Sequence, residues 1–108
     1  MKLPKKIQVA GSDIDVLIVD DIEDGLMGES LLCSGTIKIA RNAKGYLQSD
    51  SSKFNTFIHE CVHMVLDSMG ETELSQNEKF VNTFAGFTTE IIRSILREHE
   101  QDIQASSD

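Results

Sequence analysis

Two histidines spaced four residues apart, with a glutamate beside the first, are the residues of this chain best suited to chemistry. His59, Glu60 and His63 occur in the sequence His-Glu-Cys-Val-His. On a helix, residues four apart are separated by about 40° around the axis and roughly 6 Å along it, so both imidazoles can reach one ion. Zinc accepts neutral imidazole nitrogens at about 2.0–2.1 Å in a tetrahedral shell. We therefore predict that His59 and His63 bind one zinc ion.

Glu60 is placed for proton transfer rather than for metal binding. Its carboxylate projects beside His59, where it can take a proton from a metal-bound water. A metal ion lowers the pKa of such a water from about 15.7 toward 7. The three residues together predict a hydrolytic site in which Glu60 is the catalytic base and the water attacks a peptide carbonyl.

A catalytic zinc also needs a third protein ligand and one open position. We favour Glu78, because it lies in the first turn of a second helix that must pack against the motif helix. Glu71 and Glu73, in the loop before that helix, remain alternatives. The segment from Ser75 to Glu78 also fits a capping box, in which Glu78 would bond back to the start of the helix.

Three other polar side chains have ordinary structural explanations. Asp67, four residues after His63, could orient a ligand, but we interpret it as a solvated residue near the helix end. Tyr46 could offer a hydroxyl to a developing oxyanion, although we expect a lone loop tyrosine to pack. His99 lies near the predicted end of the second helix, where a cation interacts favourably with the helix dipole.

The elements that must position these residues begin with strands. Alternating apolar residues on either side of a Gly-Ser turn predict a β-hairpin with strands at about 5–10 and 13–20. Leu31–Cys33 and Thr36–Ala40 predict a second hairpin, with an acidic loop from 20 to 28 between the two. We expect a three- to four-stranded, mostly antiparallel sheet packed on helices, which is the α+β class.

Two long helices follow the strands. Ser51 or Ser52 caps the first, which ends before Gly70, and the second runs from Ser75 to about Glu100. Both helices carry apolar residues at helical spacing, which we assign to the core. These are Phe54, Phe57, Ile58, Val62, Val65 and Leu66 in the first helix, and Phe80, Phe84, Phe87, Ile91 and Ile95 in the second.

Length and composition limit the class of protein. A chain of 108 residues fits one domain, 1–108, and we expect 101–108 to be a frayed tail. A net charge of -8 argues against nucleic-acid binding, which needs Lys and Arg for the phosphates. With no long apolar segment and only Cys33 and Cys61, we expect a cytoplasmic protein with reduced thiols and no membrane contact. We expect it to be a monomer.

The motif and the residues that follow it resemble a known family. The chain is similar to the ImmA/IrrE-type metallopeptidases, to the minimal gluzincins and to short phage-encoded zincin-like proteins. The resemblance covers roughly residues 14–90, with Val81 where the family usually has Ala. The residues that fit the second motif of the family are Glu78, Asn82, Phe84 and Ala85.

The resemblance implies a small zincin-like domain and a zinc-dependent peptidase. Its ligands would be His59, His63 and Glu78, with Glu60 as the base and a peptide or protein as the substrate. It also implies that Thr36–Ala40 is the edge strand along which a peptide lies by β-augmentation. Minimal gluzincins can be latent, with a terminal segment such as 1–6 or 101–108 in the cleft.

A second hypothesis is a zinc-stabilised protein-interaction module with a degenerate or latent peptidase site. In that case the zinc holds the two helices together, and the acidic surface or a strand edge docks a protein without cleaving it. The two hypotheses differ in whether the metal keeps an exchangeable water, because a chelating hydroxamate binds an open site and not a closed one.

Overall fold

The main sheet has four strands, whose spatial order differs from their order along the chain. The computed structural model describes residues 2–106, with side chains described as far as residue 102. The strands are β1 (Lys6–Val9), β2 (Ser12–Val19), β3 (Gly28–Leu31) and β4 (Thr36–Ala40), arranged β1-β2-β4-β3. β2 and β4 are parallel and the other two pairs are antiparallel, so the sheet is mixed. With its long helices, the protein has the predicted α+β class.

The edge strand beside the helices is β3, which corrects two predictions. Residues 20–28 do not form only a loop, because β3 begins at Gly28 and pairs with β4, while Leu32 and Cys33 lie in the connecting turn. β4 therefore lies between β2 and β3, and the prediction that Thr36–Ala40 is the edge strand is wrong. The Gly-Glu-Ser-Leu sequence of β3 has no apolar alternation, so the strand left no pattern to recognise.

A short hairpin joins the sheet to the helices. β5 (Asn42–Ala43) and β6 (Tyr46–Leu47) pair antiparallel and form a second, two-stranded sheet. Between them, Lys44 and Gly45 have φ of 53° and 83°, the left-handed conformation that two-residue hairpin turns require. The Tyr46 side chain is 79% exposed, so the expectation that it packs is wrong.

The first long helix, α1 (Asp50–Ser68), is the central element of the fold. Its N-cap is Ser49, whose hydroxyl accepts the Ser52 amide, rather than Ser51 or Ser52. Its C-terminus is a Schellman motif, since the amides of Gly70 and Glu71 donate to the carbonyls of Asp67 and Leu66. The predicted end before Gly70 is confirmed, and Gly70 has the positive φ of 78° that this motif requires.

The core lies between the sheet and one face of α1. Of the apolar residues predicted to be buried on α1, only Val65 is exposed, and Met64 is buried in addition. The cluster that fills the core consists of Ile14, Val16, Ile37 and Ile39 from the sheet, Phe54, Phe57, Ile58, Val62, Met64 and Leu66 from α1, and Val81 and Ala85 from the last helix.

The last helix, α3 (Glu78–Ser106), follows a single turn of helix, α2 (Thr72–Ser75). It continues beyond the predicted end near Glu100, and residues 107 and 108 lie outside the described part of the chain. His99 is therefore not in the last turn, and its predicted interaction with the helix end is wrong. Among residues 2–106, no helix combines the length and apolar character needed to cross a membrane.

Candidate metal centre

The helices α1 and α3 bring three potential metal ligands close together. His59 and His63 are mostly buried on α1, and the Glu78 carboxylate reaches them from the first residue of α3. The Nε2 atoms of the two imidazoles lie 3.2 Å apart. One carboxylate oxygen of Glu78 lies 3.3 Å from His63 Nε2 and the other lies 3.5 Å from His59 Nε2. The ligand atoms all lie within 4.8 Å of one another, which makes this group a possible metal site.

Glu78 points into the site because of where α3 begins. Asn77, not Ser75, is the residue before the helix, and its side-chain oxygen accepts the Phe80 amide at 3.1 Å. Glu78 is therefore the first helical residue rather than the third, and the capping-box interpretation of Ser75 to Glu78 is wrong. A carboxylate in the first turn also interacts favourably with the helix dipole.

A polar side chain from α2 or α3 lies beside each imidazole. Ser75 is buried in α2, and its hydroxyl oxygen lies 3.0 Å from His63 Nδ1. His59 has a side-chain hydrogen bond with Asn82, one turn into α3. If the Nε2 atom of His63 binds an ion, Nδ1 carries the proton and donates to Ser75. Asn82 was singled out only through the family resemblance, and nothing in the sequence pointed to the role of Ser75.

The electrostatics of the site favour neutral imidazole at His59. Burial lowers the pKa of His59, the nearby His63 lowers it further, and the Glu78 carboxylate acts in the opposite direction. A neutral ring is the form that binds a metal. The two Nε2 atoms face each other at 3.2 Å, so a cation bound between them would offset the repulsion of their lone pairs.

Glu60 lies beside the ligands in a confined position. Its side chain faces β3, is only 7% exposed and forms a side-chain hydrogen bond with Ser30. Gly28 of the same strand packs directly on it, since a Cβ built there would lie 3.2 Å from a carboxylate oxygen. Burial raises the pKa of Glu60, while the neighbouring His63 and the Ser30 hydrogen bond partly oppose the increase. A carboxylate with a raised pKa is a better proton acceptor near neutral pH.

These side chains line an open cleft of about 620 Å³. Asp67 is exposed, as predicted, and also lines the cleft. Tyr46 does not line it. Glu71 and Glu73 belong neither to the ligand group nor to the lining, so of the three carboxylates only that of Glu78 lies with the two histidines. Of the described side chains in 2–6 and 101–102, none lines the cleft.

The cysteine between the two histidines is not part of the ligand group. Cys61 is partly buried, and burial together with the neighbouring Glu60 raises the pKa of its thiol to about 12. A thiol with this pKa is protonated at neutral pH and is a poor metal ligand. Cys61 and the exposed Cys33 are both free cysteines in the structure.

Comparison with known proteins gave no match to any family model, curated protein or solved structure.

Proposed function

We propose that this protein is a zinc-dependent metallopeptidase of the gluzincin type, with His59, His63 and Glu78 as the zinc ligands and Glu60 as the base. The observation that carries the proposal is the spacing of the ligand atoms. Bonds of about 2.0–2.2 Å in a tetrahedral shell place ligand atoms about 3.3–3.5 Å apart. The two Nε2 atoms here lie 3.2 Å apart, and each lies 3.3 or 3.5 Å from a different oxygen of the Glu78 carboxylate. With one atom taken from each residue, the three ligand atoms lie within 4.8 Å of one another, so the three side chains can gather around one zinc ion.

The composition of the site also supports zinc and hydrolysis. Two imidazoles and one carboxylate form a ligand set known from catalytic zinc sites, and such sites keep a fourth position for water or substrate. The cleft beside the ligands is open enough for that position to be reached by a substrate. When bound, zinc supplies a Lewis acid that activates water and polarises a carbonyl.

Glu60 carries out the proton transfers of the proposed reaction. Its carboxylate accepts the proton that the attacking water loses and delivers it to the nitrogen of the leaving amine, so the C–N bond breaks without releasing an unprotonated amide anion. Gly28 of β3 packs directly on the Glu60 side chain, which is only 7% exposed, so the strand shields the carboxylate from bulk solvent. Confinement of this kind keeps the base near the position where the proton is transferred.

The first test is a pair of measurements on Glu60→Gln. The substitution keeps the size of the side chain but removes the base, so zinc content should match the wild type while hydrolysis of a mixed peptide library falls by at least about 10²-fold. His59→Ala is the control, since it should lose both zinc and hydrolysis. Full activity in Glu60→Gln would refute the proposed mechanism.

The interaction module with a closed or degenerate zinc site is the alternative, and a hydroxamate distinguishes the two. A site with an exchangeable fourth position should bind acetohydroxamate, and Co²⁺ substituted for zinc would report the binding through a change in its visible spectrum. A metal-loaded protein whose spectrum ignores the hydroxamate would favour the module over the enzyme.

A further inference from the structure

The last helix has two apolar faces, and only one of them is covered. The residues that are buried or packed against the core are Val81, Ala85, Thr89, Ile92 and Leu96. The residues predicted to form the core stripe point elsewhere, since Phe84, Phe87, Ile91 and Ile95 are 51%, 64%, 61% and 61% exposed. The core prediction for this stripe is therefore wrong. We call Phe80, Phe84, Phe87, Ile91 and Ile95 the α3 stripe.

The α3 stripe is continuous and partly pre-ordered. Its residues follow one another at intervals of four, three, four and four, so they form a single ridge along the helix. The rings of Phe80 and Phe84 are stacked with their centroids 5.5 Å apart. Scattered exposed apolar residues need no explanation, but a contiguous ridge of aromatic and branched side chains is typical of an interaction surface.

The area of the α3 stripe suits a symmetric pair of helices. With about 200 Å² for a fully exposed large side chain, the four most exposed residues offer about 470 Å² per chain. Two copies facing each other would bury about 950 Å² from these residues alone, and flanking residues would add more. That total reaches the size at which specific association becomes possible, about 1,000 Å².

The order of side chains along the α3 stripe suits an antiparallel copy of itself. The spacing of Phe80, Phe84, Phe87 and Ile91 is the four-three-four pattern of a coiled-coil seam. Two copies of α3 can be placed antiparallel about a two-fold axis that passes between Phe84 and Phe87. In that arrangement Phe84 contacts the partner's Phe87, and Phe80 contacts the partner's Ile91. Such a contact is isologous and closes as a dimer.

The charges beside the α3 stripe are complementary in the same arrangement. Lys79 and Glu90 are both exposed on the flank away from the core, and neither side chain is in an ion pair among the residues that the structure describes. In antiparallel pairing each flank faces the same flank of the other copy, and Lys79 lies within about 3 Å along the axis of the partner's Glu90. The two-fold axis creates this pair twice.

We propose that the α3 stripe is a self-association surface on which a second copy of this chain docks antiparallel through α3. This goes beyond the proposed function, does not depend on metal, and replaces the expectation of a monomer.

The first experiment measures mass by sedimentation velocity between roughly 1 and 100 µM, where micromolar self-association appears as a concentration-dependent shift. The wild type should change from monomer to dimer across this range. Phe87→Glu should remain monomeric and keep the wild-type circular dichroism spectrum, because the ring is exposed in the single chain. Leu47→Glu, at a 76% exposed apolar residue of β6, is the matched control and should dimerise like the wild type.

A charge exchange tests the antiparallel arrangement. Lys79→Glu and Glu90→Lys should each weaken dimerisation by about 3- to 10-fold, and the double variant should restore it, since exposed ion pairs contribute modestly. A wild type that stays monomeric at about 100 µM would overturn the proposal. So would a Phe87→Glu protein that dimerises as readily as Leu47→Glu, or a double charge variant that is no better than the single ones.

Discussion

Replacing Gly28 with alanine tests the closest contact between the edge strand and the proposed base. A Cβ at this position would lie 2.6 Å from Cγ2 of Thr56 and 3.1 Å from Cγ of Glu60. Both neighbours are buried on α1, so neither can simply swing into solvent. Overpacking of this kind typically costs about 1–3 kcal/mol, which corresponds to a melting temperature lower by roughly 4–8 °C per kcal/mol in a domain of this size.

The assay is urea unfolding of the metal-free protein, with a chelator present so that metal binding does not contribute to stability. Gly86→Ala is the matched control. No atom lies within 4 Å of a Cβ built at Gly86, and alanine is the better helix former, so that variant should be more stable by about 0.5–1 kcal/mol.

A double-mutant cycle identifies the source of the strain. Thr56→Ser removes the Cγ2 methyl and keeps the hydroxyl that lies 3.2 Å from Gln48 Oε1. Alone it should cost about 1 kcal/mol for the lost methyl, but in the Gly28→Ala background it should be neutral or stabilising, a coupling of about 1–2 kcal/mol. The contact with Glu60 remains, so recovery is partial. A Gly28→Ala protein within about 0.5 kcal/mol of the wild type would refute this account of the packing.

Three further outcomes follow from the contacts around the ligands. Ser75→Ala should keep the fold but weaken zinc binding by about 10- to 100-fold, measured by competition with a chelator, because His63 loses the partner of its Nδ1; an unchanged affinity would show that Ser75 does not orient the ring. Iodoacetamide at pH 8 should modify Cys33 and spare Cys61, because burial raises the pKa of the Cys61 thiol to about 12. Peptide mapping by mass spectrometry locates the label, and label on both cysteines of the native protein would contradict this prediction. Glu60→Gln should stabilise the metal-free protein at pH 7, because burial raises the Glu60 pKa and the wild type loses stability as pH rises through that value. The gain should vanish well below the ordinary glutamate pKa of about 4.3, so a gain that is the same at acidic pH would contradict the burial argument.

The part of the fold that could be predicted from the sequence is the part whose signals are local. On α1, the apolar spacing, the C-terminal glycine and the two histidines all point to the same helix, and the structure agrees with each of them. The edge strand could not be predicted in this way. β3 is held by its pairing with β4 and by the packing of Gly28 on α1, and neither interaction leaves a pattern in the sequence of the strand itself.

The orientation of α3 shows where periodicity fails. The helix carries two apolar sets, and side-chain size alone favours the bulkier one, with Phe84 and Phe87, as the core face. Glu78 and Ala85 are seven residues apart and share one face of the helix, whereas Phe84 lies about 120° from Glu78 around the axis. A helix that directs Glu78 to the histidines must therefore bury Val81 and Ala85 and expose Phe84, as observed. Combining the ligand prediction with helical geometry would have selected the correct face.

The candidate site was predictable as far as its ligands and not as far as their supports. His59, Glu60 and His63 are recognisable because their spacing has a chemical meaning, and the structure brings Glu78 to them. Ser75 contacts His63 across α2 and α1, and Ser30 lies in β3 beside Glu60 of α1. Contacts between separate elements such as these are defined only by the folded chain.

The central claim is that His59, His63 and Glu78 bind zinc, and elemental analysis of purified protein tests it most directly. The wild type should contain one zinc per chain, Glu78→Ala should lose it, and Glu71→Ala and Glu73→Ala should retain it as matched controls. These two residues lie outside the ligand group but carry the same charge. A wild type without zinc, or a Glu78→Ala protein that retains as much as the controls, would contradict the account.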